Sequence, residues 1–196
     1  MASDLQLRIV IVDESPVRAA ILSEGLREAG YVNVLRMEGR HNLLERIYAV
    51  DPDVILIDLE DPSRDVIEQM LDVSREVKRP VAMFVDQSDG QTIEAAIEAG
   101  VASYVVDGLR KDRVKPIVET TISRFRAFAR LKAELEEAKG QLEERKLVDR
   151  AKSILMKMKG IDEEAAYGLL RRTAMNEKKR IADVAQSIIT AAELFR

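Results

Sequence analysis

RIVIVDESP, residues 8–16, is the stretch on which the reading of this chain turns. Four β-branched residues, Ile9 to Val12, run directly into two carboxylates, Asp13 and Glu14, and then into Pro16. An apolar run without polar alternation is what a strand covered on both faces requires. Proline just behind it suits the first turn of a helix, where its missing N–H has no partner to lose. The unit is therefore strand, acidic turn, helix, and it repeats. Further strand-like runs stand at VNVLRM (32–37), DVILID (53–58), PVAMFV (80–85) and ASYVV (102–106). Helical spacing fills the intervals, in PVRAAILSEGLREAG, NLLERIYAV, RDVIEQMLDVSREV and TIEAAIEAG, with a last helix from about Arg110. Five strands, each followed by a helix, predict a parallel sheet with helices on both faces. Gly30, Gly100 and Gly108 fall where helices end or loops turn.

Composition bounds the rest. The chain has 196 residues, no cysteine and one histidine, and 46% of its residues are hydrophobic. Disulfides and thiolate metal sites are excluded, which suits a reducing compartment. No apolar run approaches the roughly 18 residues of a membrane span. The opening MASDLQLRIVIVDES has no basic flank or cleavage site, so a cytoplasmic protein is expected. His41, alone in GRHNLLERI, is read as a surface or capping residue. The net charge of −4 hides a split: residues 1–120 hold 14 Lys and Arg against 23 Asp and Glu, whereas residues 121–196 hold 17 against 12. An acidic front and a basic back suggest two modules with different partners, the basic one meeting a polyanion.

Between about 110 and 150 no proline occurs beyond Pro116, and Gly140 is the only glycine. Val118, Ile122, Phe125 and Ala129 are spaced 4-3-4, and Phe128, Leu131, Leu135, Ala138 and Leu142 are spaced 3-4-3-4. These are two heptad phases joined by a shift near Phe128. A coiled coil over 121–145 is expected, with Leu131, Leu135 and Leu142 in a dimer seam; the alternative is a long helix packed on its own domain. Residues 146–196 then read as a small three-helix bundle. Leu147, Val148, Ala151, Ile154, Leu155 and Met158 share the first apolar face, which Gly160 ends. Asp162 and Asn176 are the expected caps of the second and third helices. Ile181, Val184, Ala185, Ile188, Ala192 and Phe195 form the last buried face.

Two residue clusters carry chemistry. In an open parallel sheet, ligands bind beyond the carboxyl ends of the strands. Asp13 and Glu14 follow the first strand there, and Asp58 ends the third. Three carboxylates in one pocket repel, so protonation or a hard cation must relieve them. Mg²⁺ with oxygen ligands from Asp13, Glu14 and Asp58 is the fitting cation. No nucleophile–base pair or cofactor loop accompanies them, and no enzyme is expected. The second cluster is basic. Lys146, Arg150, Ser153 and Lys157 fall on one helical stripe, bordered by Lys152 and Lys159. Arg171 and Arg172 are expected to end the second helix; Lys178, Lys179 and Arg180 open the third, where cations oppose the dipole and an anionic ligand would account for them. Few aromatics lie nearby, which disfavours a base-stacking platform and favours backbone and shape recognition. Residue types leave RNA, DNA and a protein dock open for this module.

Residues 7–120 resemble the receiver domains of two-component response regulators. IVDES carries the acidic pair and LIDLED carries the phosphoacceptor aspartate at Asp58. The resemblance implies a flavodoxin-like, CheY-like doubly wound fold of five parallel strands. The receiver hydroxyl after the fourth strand falls on Val85, and the lysine after the fifth falls on Asp107. Valine offers a phosphoryl group no hydrogen bond, and Asp107 adds a negative charge, so the domain is read as a degenerate receiver controlled by a bound partner. RKLVDRAKSILMKMKGIDEEAAYGLLRRTAMNEKKRIADVAQSII (145–189) is similar to ANTAR domains, the RNA-binding antitermination modules found behind receivers. The whole architecture resembles nitrate-assimilation antiterminators of the NasT type and, more distantly, the amidase regulator AmiR. That resemblance implies binding to paired stem-loops in leader mRNA, a nitrate-sensing regulatory partner, and a homodimer when active.

Overall fold

A computed structural model of the chain describes residues 6–39, 41–59, 63–106 and 110–194. Its strands are β1 (Arg8–Val12), β2 (Asn33–Met37), β3 (Val54–Leu59), β4 (Val81–Val85) and β5 (Ser103–Val106). They form one sheet in the order β2-β1-β3-β4-β5, with every pair parallel. This is the doubly wound, flavodoxin-like order, in which the chain reverses direction across the sheet between β1 and β3. The helices are α1 (Pro16–Glu28), α2 (Leu43–Val50), α3 (Arg64–Glu76), α4 (Gly90–Glu98), α5 (Val114–Lys159), α6 (Glu163–Glu177) and α7 (Ile181–Leu194). Two compact units result, residues 1–129 and 130–196.

Alternation along the central strands sorts the first unit's core into two layers. Ile9 and Ile11 of β1, with Leu56 and Phe84, pack with Leu22 and Leu26 of α1 and Val114 and Val118 of α5. Val10 and Val12, with Ile55, Ile57 and Met83, pack with Ile47 of α2, Met70 of α3 and Ala96 of α4. β3 and β4 are buried along their whole length, whereas β2, at the edge, is mostly exposed or half-buried. Gly25 lets α1 approach the turn into α5: a Cβ there would stand 3.0 Å from the Lys111 carbonyl oxygen and 3.1 Å from Val114 Cγ2. Lys111 seals the same contact with ion pairs to Glu24 and Glu28 at 2.7 and 2.6 Å.

Helix α5 runs unbroken for 46 residues, so the expected first helix of the terminal bundle is its last stretch. The shift of heptad phase near Phe128 has a physical meaning here. Val118 and Ile122 belong to the receiver's core, whereas Phe128, Leu131, Leu135 and Leu142 are each more than half exposed. The first phase is thus a core stripe, and the second begins where the first unit ends.

In the second unit Ala151, Leu155, Ala166, Leu170, Ala174, Val184, Ala185 and Ile189 form the core. Half of these are alanines, so few large side chains are buried and the bundle is thin. Gly160 closes α5 at φ 64°, and the Asp162 carboxylate accepts from the Ala165 N–H at 2.8 Å to cap α6. Two expectations are corrected. Asn176 lies inside α6, which continues to Glu177 and closes on Lys178 in the left-handed conformation at φ 54°. Met158 points to solvent, because the core contacts of α5 end at Leu155. Phe195 lies outside the described residues.

Candidate functional site

Asp13 leaves the end of β1 and Asp58 sits near the end of β3, and both are buried. The expected convergence of carboxylates is present for these two. The cation beside them is Arg18 of α1, which sequence reasoning missed. Its Nε and Nη2 donate to Asp58 Oδ2 and Oδ1 at 2.9 and 2.6 Å. Its Nη1 donates to both oxygens of Asp86, at 2.8 and 3.0 Å, just beyond β4. The Asp58 side chain is 0% exposed, that of Arg18 15%, and that of Asp86 45%. A bidentate guanidinium–carboxylate pair is among the strongest side-chain hydrogen-bond arrangements. The Asp58 hydrogen bonds, followed by those to Asp86, hold the Arg18 proton more firmly than usual.

Asp13 is less well served. The Ser15 N–H donates to its Oδ1 at 2.7 Å, while its Oδ2 is buried with no hydrogen-bond partner among the described residues. Burial, reinforced by the Asp58 charge and opposed by the Ser15 bond and by Arg18 and Arg36, pushes its carboxyl up to about 6. Glu14 is exposed. Asp13, Glu14 and Asp58 are thus not gathered as the Mg²⁺ expectation requires: among the described residues no three His, Cys, Asp or Glu side chains are placed to hold a metal ion. The physical reason is that Arg18 already occupies both Asp58 oxygens. The Asp13 lone pair is available, but a hard divalent cation needs several oxygen ligands, and these residues do not fit one as arranged. Val85 is buried at the end of β4, paired in register with Leu59, and contributes no hydroxyl. Asp107 lies outside the described residues.

A sequence signal for Arg18 existed. It stands in the first turn of α1, which holds no acidic residue, and a cation there opposes the helix dipole. The same argument holds for Arg180, whose carbonyl accepts the first N–H groups of α7, but is corrected by the structure for Lys178 and Lys179. Lys178 and Lys179 follow the end of α6, where cations are favoured, and α7 starts at Ile181. Arg171 and Arg172 lie inside α6, with more than a turn still to run.

The basic residues of the second unit divide into two groups. Lys152, 15% exposed, bridges Asp149 and Glu163 at 2.6 Å each and ties α5 to α6. Arg150 pairs with Glu193 of α7 at 2.6 Å, and Arg180 pairs with Glu144 and Asp183 at 2.8 and 3.0 Å. Lys179 pairs with Glu177 at 2.8 Å. Lys152 was expected to face away from the fold and does the reverse. Lys157, Arg171, Arg172 and Lys178 are exposed and form no ion pair with any described residue. Arg171 and Lys178 line an open groove of about 950 Å³ together with Arg145, Val148, Tyr167 and Met175. Tyr167 and Met175 are exposed in it. Neither Arg145 nor Tyr167 was singled out as a contact by sequence; Arg145 stands two turns before Lys152 on the same side of α5, and Tyr167 is one of two aromatics in the module.

Comparison with known proteins places these two units. Residues 9–119 match the response regulator receiver domain family, and residues 136–189 match the ANTAR domain family. The transcriptional regulatory protein PdtaR of Mycobacterium tuberculosis is 30% identical over 180 residues, covering 90% of this chain and 88% of its own. The nitrate regulatory protein of Klebsiella oxytoca is 40% identical over 108 residues, covering 55% of this chain and 27% of its own. A response regulator from Thermotoga maritima superposes with a TM-score of 0.52 at 20% identity, covering 60% of this chain and 98% of that one, which speaks for the fold of the first unit. No described helix is long and apolar enough to cross a membrane. The chain belongs to the ANTAR response regulators, with a receiver at the front and an ANTAR domain behind it.

Proposed function

We propose that this chain is a transcription antiterminator that binds stem-loops in nascent leader mRNA and prevents the terminator hairpin from forming. The observation that carries the reading is the groove of the second unit, where Arg145, Arg171 and Lys178, ion-paired with no described carboxylate, line one surface with the exposed Tyr167 and with the paired Lys152, Lys179 and Arg180. Unpaired cations at close quarters repel one another, and a polyanion removes that cost by displacing its counterions onto the solution. One exposed aromatic and the guanidinium planes can stack on unpaired loop bases, which a hairpin loop supplies and a closed duplex does not. Lys157 and Arg172 extend the basic surface towards the stem phosphates. Lys152, Arg150 and Arg180 act on RNA only through the helices they hold.

The exposed row Phe128, Leu131, Leu135 and Leu142 of α5 keeps heptad spacing, which supports a homodimer as the active form. Two ANTAR domains so joined would read paired stem-loops, the second binding event gaining effective concentration from the first. The domain limits we propose are a receiver-like domain over 1–120, a coiled-coil helix over 121–145 and the RNA-binding domain over 146–196. The similarity to the nitrate regulatory protein of Klebsiella oxytoca supports nitrate or nitrite assimilation genes as the target, with a nitrate-sensing protein as the controlling partner in the cytoplasm. Purified protein added to transcription of a terminator-bearing leader should raise readthrough. Arg171→Ala combined with Lys178→Ala should abolish that rise while the protein stays folded. Unchanged readthrough with the parent protein, on a leader whose hairpins it binds, would sink the antitermination reading.

A further inference from the structure

The carboxylate pocket of the receiver has no part in gripping RNA, and its charge balance is the feature that the fold alone does not explain. Two buried aspartates, Asp13 and Asp58, need a positive charge beside them. The chain supplies it from α1. Arg18 commits two of its donors to the two oxygens of Asp58 and a third to both oxygens of Asp86. The guanidinium thereby joins the ends of β3 and β4 to the start of α1, and it faces solvent only on the Asp86 side. A divalent cation seeking the same carboxylate would meet a fixed positive charge bonded to both of its oxygens. In this pocket, among the described residues, the buried Asp13 Oδ2 is left without a hydrogen-bond partner, a lone pair that a second ligand position would need.

We infer that Arg18 is a built-in counter-ion that stands in for a divalent cation and closes the Asp58 pocket to Mg²⁺. Removing the guanidinium turns Asp13 and Asp58 into the core of a cation site. The inference rests on the receiver's geometry and is independent of the RNA-binding reading, so each can fail alone. The probe is Mn²⁺, titrated into the full-length chain near neutral pH and followed by its paramagnetic resonance. Parent protein should bind no Mn²⁺ through Asp58, so Asp58→Asn should leave its titration unchanged. Arg18→Ala and the longer, neutral Arg18→Gln should each gain a site at least about tenfold tighter. Mg²⁺ should compete for that site, and adding Asp58→Asn should remove it. Should either variant be unfolded without metal, millimolar Mg²⁺ should restore a cooperative melting transition and leave the parent's melting temperature unmoved, because a ligand stabilises only the state it binds. Asp58-dependent Mn²⁺ binding by the parent would overturn the inference. So would folded variants that gain no site, or unfolded variants that Mg²⁺ does not rescue.

Discussion

The two units differ in what they leave unpartnered. In the receiver, the buried cation Arg18 is shared between two carboxylates, and the apolar stripe of α5, through Val118 and Ile122, is absorbed into the core. In the ANTAR unit, Arg171, Arg172, Lys157 and Lys178 pair with no described acid, and Leu131, Leu135 and Leu142 of the same helix stand exposed. The receiver neutralises its buried Asp58 from within, although exposed Arg27, Lys78, Arg113 and Lys115 form no ion pair with a described residue either; in the second unit the unpaired Arg171 and Lys178 share a groove with an exposed aromatic, Tyr167. The difference supports the proposal that the second unit carries the working surface and that the Asp58 pocket of the receiver is self-contained.

The largest expected effect tests the self-contained side. Removing one member of a buried ion pair leaves the other charged and unsolvated, a loss of roughly 3–5 kcal/mol. Arg18→Ala should lower the receiver's stability by about that amount in urea unfolding, whereas Arg172→Ala should change it by no more than about 0.5 kcal/mol. Equal effects would erase the contrast between the two sets of cations. The leucines come next. Leu135→Lys should weaken self-association, since burying a leucine contributes about 1.5–3 kcal/mol per side chain. Sedimentation should show the shift, and affinity for a two-hairpin RNA should fall more than affinity for a single hairpin. A parent that is monomeric with RNA bound would break the comparison at this point.

A smaller effect concerns pH. Asp13 carries a carboxyl pushed up to about 6 by burial and by the Asp58 charge, against an ordinary value of 3.8. The folded state therefore holds this proton more tightly than the unfolded one. Its contribution is fully present below about pH 4 and is lost as pH rises towards 6, after which it stays flat. Asp13→Asn keeps an oxygen for the Ser15 N–H and removes the charge beside Asp58. It should flatten the stability profile between pH 4 and 6 and stabilise the protein above pH 7, by on the order of 2 kcal/mol. A variant no more stable than the parent at pH 8 would show that the pocket tolerates the second negative charge.

Much of this was legible in the sequence. The β-branched runs placed the strands within a residue or so, because a central parallel strand admits little else. Asp13 and Asp58 were legible as neighbours from strand-end position alone. Arg18 was not picked out, because a lone arginine on a helix is ordinary until the carboxylates it faces are known; its place in a first turn was the one clue. Lys152 misled for the opposite reason. Helical spacing put it beside an exposed stripe, but the lysine stem reaches Glu163 of the next helix, and spacing within one helix says nothing of its neighbour. The heptad shift near Phe128 was visible, but its cause is tertiary: the first phase faces a sheet, which no count of leucines reveals.

On the proposed function, the unpaired cations of the ANTAR groove, and not the paired ones beside them, grip RNA. Binding of a leader hairpin across a salt series tests it most directly, with parent, Arg171→Ala, Lys178→Ala and Lys152→Ala compared and circular dichroism as the folding control. Lys178→Ala should weaken binding and flatten the log–log salt slope by about one ion. Arg171→Ala should either do the same or, where its guanidinium stacks on a base, reduce loop discrimination with the slope unmoved. Lys152→Ala should lower the melting temperature and, once folded at low temperature, keep the parent's salt slope. If Arg171→Ala and Lys178→Ala bind like the parent at every salt concentration, while Lys152→Ala flattens the slope, the unpaired cations are not the RNA contacts and this reading is contradicted.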